Sequence, residues 1–89
     1  MDDKDIALWI IDTDRRAIAL KAFAESRVLH AADIAKKNGR SIQNISRALH
    51  ELEKKDIITS IDEKTTWKKY LLTAKGEKIL EKVNEILPK

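Results

Sequence analysis

Apolar side chains along this chain recur mostly at helical spacing, with one late stretch that alternates instead. In "KDIALWII" the positions Ile6, Trp9 and Ile10 share one side of a helix over roughly residues 4–11. "DTD" breaks it, and Thr13 or Asp14 can cap a second helix over roughly 14–25, with Ile18, Ala22, Leu20 and Phe23 turned inward. "RVL" is short enough to be a turn or a stub of strand. A third helix is expected over residues 31–37, with Ile34 and Ala35 inward, and it ends at Asn38-Gly39, the best left-handed signal in the chain. Ser41 then caps a fourth helix, roughly 42–55, whose inward stripe is Ile42, Ile45, Ala48, Leu49 and Leu52.

After the fourth helix the period changes. "IITSI" (57–61) is β-branched, and "WKKYLL" (67–72) can alternate, with Tyr70 and Leu72 on one face. Joined by a polar tip, they read as an antiparallel hairpin. Thr73 caps a last helix over roughly 74–87, striped by Ile79, Leu80, Val83, Ile86 and Leu87, and Gly76 near its start permits close packing. The expected architecture is mostly α with a small β-hairpin, in one domain of 89 residues. Residues 1–12 form a short N-terminal helical extension to it.

Composition narrows the chemistry. The chain has no cysteine, which excludes disulfides, thiolate metal sites and cysteine nucleophiles and fits a reducing cytoplasm. The start "MDDKD" is acidic and lacks the apolar region of a signal peptide, and the longest apolar run, "IALWII", is far too short to span a membrane. His30 and His50 lie on different elements without metal-ligand spacing. No phosphate loop and no nucleophile beside a base is present, so neither an enzyme nor a bound cofactor is expected. Net charge is only +3, but residues 1–30 carry −1, residues 31–70 carry +3 and residues 71–89 carry +1, so the excess centres on the third and fourth helices and the hairpin.

The fourth helix carries an unusual polar face. In place of a Lys/Glu mixture it exposes short hydrogen-bonding side chains: Gln43, Asn44, Arg47 and His50, preceded by Arg40 and Ser41. Duplex DNA offers a major groove about 12 Å wide, in which Asn and Gln pair with adenine and Arg with guanine. A helix that enters the groove needs a second helix and a tight turn to hold it. Here a short helix bearing Lys36 and Lys37 and the turn "NGR" precede it.

With these parts in order, the sequence resembles the winged helix-turn-helix domains of MarR/ArsR-type prokaryotic transcription regulators. "DIAKKNGRSIQNISRALHELEKKDII" is similar to that family's helix-turn-helix, "KKYLLTAKGEKIL" to its wing strand and closing helix, and "RRAIALKAFAES" to the scaffold helix before them; together they span roughly residues 13–83. The resemblance implies a sequence-specific regulator of double-stranded DNA with residues 42–55 as recognition helix and 57–72 as wing. It implies base or nearby phosphate contacts from Ser41, Gln43, Asn44 and Arg47, phosphate contacts from Lys36, Lys37 and Arg40, and wing contacts from Lys64, Lys68 and Lys69. Asp62 and Glu63 at the hairpin tip repel phosphate and oppose deep insertion.

The chain departs from the family in three places. Asp56 stands where glycine is frequent after the recognition helix, which requires it to adopt the left-handed conformation. His30 replaces the usual Ser or Thr cap. No sensor site is evident, and any small-molecule effector is unspecified. Trp9 and Trp67 read as packing anchors. Both terminal stripes exceed what one small core covers, so a homodimer through Ile6, Trp9, Ile10, Ile79, Val83, Ile86 and Leu87 is expected. The competing reading is a winged-helix protein-interaction module within a larger nucleic-acid-processing assembly, for which an apolar recognition face would be the mark.

Overall fold

The computed structural model describes residues 2–61 and 69–87. Helix α1 (Asp3–Ile11) begins at Asp2, whose carboxylate accepts a hydrogen bond from the Asp5 amide at 2.9 Å. Helix α2 (Asp14–Lys21) tightens into a 3-10 turn over Ala22–Ala24. Strand β1 (Val28–His30), helices α3 (Ala31–Asn38) and α4 (Ile42–Lys54), strands β2 (Ile58–Ser60) and β3 (Lys69–Leu72) and helix α5 (Ala74–Ile86) follow. His30 stands at the N-cap of α3 in extended conformation and makes no side-chain cap bond.

The strands form one antiparallel sheet in the order β1-β3-β2. "RVL" therefore contributes a third strand: Val28 pairs with Leu71, Leu29 with Tyr70 and His30 with Lys69. On the other side Ile58 faces Leu72 and Ser60 faces Tyr70, the expected hairpin pairing. Alternation in β3 buries Tyr70 and Leu72 and leaves Lys69 in solvent. Trp67 lies outside the described residues.

Ile10, Leu20, Ile34, Ile45, Leu49, Leu52, Ile57, Ile79 and Val83 are sealed from solvent in one continuous cluster. Some inward assignments shift. Because α2 packs against both α4 and α1, it turns Ala19, Leu20 and Phe23 inward and leaves Ile18 and Ala22 half-buried. Ile42 is 55% exposed, because the first turn of α4 runs past the edge of the core and burial starts at Ile45. Helix α1 packs along α5, which buries Ile6, Ile10, Ile79 and Val83 within one chain. The two terminal stripes thus cover each other. Of the residues expected to meet a second copy, Trp9 is half-buried, and Ile86 and Leu87 remain 38% and 37% exposed.

Both helices of the central pair end the same way. Gly39 is left-handed (φ +65°), its amide bonds the Lys36 carbonyl, and the Arg40 amide bonds the Ala35 carbonyl at 2.9 Å. Asp56 repeats this at φ +63°, with its amide on the Glu53 carbonyl at 3.0 Å and the Ile57 amide on the Leu52 carbonyl at 3.1 Å. This is the Schellman pattern, which satisfies the last helical carbonyls while reversing the chain. Asp56 carries a Cβ in a conformation that penalises one. Asp56→Gly should therefore raise stability by a few tenths to about 1 kcal/mol, read as a higher thermal midpoint. A lower midpoint would mean that the carboxylate makes a stabilising contact.

Candidate nucleic-acid interface

The site is built on the α3–turn–α4 unit. The Ser41 hydroxyl accepts a hydrogen bond from the Asn44 amide at 3.1 Å and so fixes the first turn of α4. That bond uses one of the hydroxyl's two acceptor lone pairs and leaves its proton and the other lone pair to offer outward.

Two polar clamps hold α4. From α2, Arg16 Nε donates to Glu51 Oε1 at 2.9 Å and Arg15 Nη2 to Glu51 Oε2 at 3.2 Å. Arg16 also donates to the Trp9 carbonyl at 2.9 Å and lies over the Trp9 ring, 4.1 Å from its centroid. The Arg16 hydrogen bond holds the Glu51 carboxyl below the ordinary carboxylate range. From the sheet, the Ser60 amide and hydroxyl both donate to Glu53 Oε2, at 3.2 and 2.9 Å. Trp9 is thus an anchor, as its sequence context suggests, and its ring seats the arginine that braces α4.

With its buried side occupied by Ile45, Ala48, Leu49 and Leu52, α4 turns Gln43, Arg47 and His50 to solvent. These positions are four and three residues apart and form one ridge opposite the core. Lys54 extends the ridge by four residues and is also exposed. Sequence reasoning did not assign Lys54, although the same spacing would have found it. Lys36, Lys37, Arg40, Ser41 and Asn44 are exposed around the helix start. Ser46 is half-buried. Lys69 is exposed on β3, while Lys64 and Lys68 lie outside the described residues, as do Asp62 and Glu63.

Not every cation in this set stands alone. Lys37 Nζ lies 2.6 Å from Glu25 Oε1, and Arg40 Nη2 lies 4.0 Å from Asp14 Oδ2. Asp12 and Asp14 also line the shallow polar recess beside Arg40 and Asn44. Among the described residues, no group of three His, Asp or Glu is placed to hold a metal ion, and no helix is long and apolar enough to cross a membrane.

Neither a protein-family model nor a curated protein matches the sequence. Solved structures do. The complex of MepR from Staphylococcus aureus with DNA has 29% sequence identity and a TM-score of 0.75, over 94% of this chain and 64% of MepR. The antimony-specific transcriptional repressor AntR has 22% identity and a TM-score of 0.77, over 92% of this chain and 71% of AntR. A MarR-family transcription regulator has 20% identity and a TM-score of 0.77, over 96% of this chain and 58% of its own. The fold is the MarR-type winged helix. The chain spans 64% of the MepR chain in its DNA complex, less than two thirds of it. Within a MarR-type winged helix, α3 and α4 are the helix-turn-helix, and β2 and β3 are the wing strands.

Proposed function

We propose that this MarR-type winged helix is a sequence-specific regulator of transcription that binds double-stranded DNA. In this reading α4 lies in the major groove, the hairpin over 57–72 serves as wing, and Lys36, Lys37, Arg40 and Lys69 meet phosphates. Lys64 and Lys68 join them on the wing. The carrying observation is the ridge Gln43, Arg47 and His50, exposed along a helix whose other side is braced by two arginines and a sheet. The likeness to MepR, solved with DNA, supports it. A protein-docking face would expose apolar side chains along that ridge, and the ridge is polar throughout.

Gln43→Ala, Asn44→Ala and Arg47→Ala should each weaken the preferred duplex by about 1–3 kcal/mol, roughly 5- to 150-fold, and flatten sequence preference. Lys69→Ala should weaken all duplexes alike. Gel-shift titrations with a selected and a scrambled duplex separate the two behaviours. Identical behaviour of both groups would remove base reading from α4.

Self-association is part of the same proposal. The apolar surface left near the α1–α5 pair includes Leu8, 46% exposed, together with Trp9, Ile86 and Leu87. A two-fold dimer through this end would need its α4 helices about 34 Å apart to read half-sites one turn of DNA apart. Ile86→Glu should shift the sedimentation of the 10.2 kDa chain from dimer toward monomer and weaken DNA binding with it. A dimer untouched by Ile86→Glu puts the contact elsewhere.

A further inference from the structure

Ile42 is the most exposed large apolar side chain among the described residues, at 55%. Its periodicity matches the core stripe, yet the described chain leaves more than half of it in solvent. It is the first residue of α4, between the capping Ser41 and the exposed Gln43 and Asn44. No packing requirement explains a branched aliphatic there, and isoleucine is not a preferred helix former. Exposed apolar surface also costs solvation that a polar residue would avoid.

The location supplies an occupant. The N-terminal residues of a recognition helix are those that reach base edges. The cations Lys36, Lys37 and Arg40, all exposed around the same end of α4, draw a polyanion toward it. Within the major groove only one apolar group marks a natural base, the 5-methyl of thymine, and aliphatic side chains read it by contact. We infer that Ile42 is a specificity-determining residue that packs against a thymine 5-methyl group in the bound duplex. This rests on the DNA-binding reading above and adds to it an apolar contact that the polar ridge cannot make. Gln43 and Asn44 select by hydrogen bonds, whereas Ile42 would select thymine over cytosine by its methyl. Nothing is transferred or broken in this contact, and its strength is that of burying one methyl group.

The test uses the full chain and a duplex obtained by selection from random DNA. Each thymine is replaced in turn by deoxyuridine, which deletes the 5-methyl and leaves the base pair intact. At one position per bound chain the wild type should lose roughly fourfold in affinity, the value of about one buried methyl group. Ile42→Ala should bind the thymine duplex more weakly and discriminate thymine from deoxyuridine at that position less than about twofold, the scatter expected between independent sites. Ile42→Val should keep partial discrimination. Because Ile42 is exposed, helical content by circular dichroism should be the same in all three. A wild type indifferent to every replacement overturns the inference, as does an equal loss in Ile42→Ala. Those outcomes leave salt-dependent, sequence-selective binding in place, whereas absence of any duplex binding removes the DNA reading itself.

Discussion

Gly76→Ala should destabilise the fold by about 3 kcal/mol or more, lowering the thermal midpoint by roughly 12 °C or more for a domain of this size. Helix propensity alone argues for the opposite sign, since alanine is favoured over glycine within a helix by about 1 kcal/mol. Packing decides. A Cβ at Gly76 would sit 2.1 Å from the Ile57 carbonyl oxygen and 2.6 Å from Leu72 Cδ1. The leucine can rotate, but the carbonyl cannot retreat freely, because it accepts the Thr73 amide at 3.1 Å and lies 2.9 Å from the Thr73 hydroxyl, whose one proton it shares with the Asp56 carbonyl at 2.7 Å. That hydroxyl in turn accepts the Gly76 amide at 2.9 Å, which caps α5. One added methyl therefore pushes on the place where the end of α4, the start of β2 and the start of α5 are tied together. Urea or thermal unfolding measures the outcome. A midpoint equal to or above that of wild type would mean that α5 shifts at little cost and that this joint is not tight.

The joints were the most legible part of the sequence. Asn38-Gly39, Thr73 and Gly76 each announce a backbone requirement through residue type, Asp56 only through the glycine that the resembling family carries there, and each is found in that role. The short α3 buries Ile34 and Ala35 as expected, and the stripe of α4 from Ile45 onward was equally plain, because a helix packed on one side repeats its pattern for several turns. Three things were not. Strand β1 has only three residues and takes its identity from pairing with β3, a partner some forty positions away, so no local pattern could announce it. The stripes of α1 and α5 show that apolar surface must be covered, but a period does not say by what, and α1 on α5 answers it within one chain. The end of a helix that overhangs its core keeps the core's period without its burial, and so Ile42 reads inward and lies outside. At the candidate site, the polar ridge of α4 followed from side-chain type. The bracing by Arg15 and Arg16 on Glu51 did not, because it joins residues thirty-five and thirty-six apart.

Binding to duplex DNA should fall steeply with salt. Each phosphate neutralised by lysine or arginine releases about 0.9 of a condensed counterion, so three contacts per chain give a log–log slope near −3, and a dimer about twice that. Between 50 and 200 mM salt this amounts to a loss of roughly 40-fold for one chain and more than 1,000-fold for two. The described cations suited to these contacts are Lys36, Lys37, Arg40 and Lys69, all exposed. Two of them already face carboxylates, Lys37 on Glu25 and Arg40 near Asp14, and strong pairing there would flatten the slope. It should not do so by much. Both carboxylates are exposed, and such surface pairs are weak and are themselves screened as salt rises. A DNA phosphate, by contrast, comes with the field of its neighbours along the strand. Lys69→Ala should lower the magnitude of the slope by about one per bound chain while leaving sequence preference intact. A slope indistinguishable from zero in titrations at four or more salt concentrations would show that phosphates are not the partner of this surface and would remove the DNA reading.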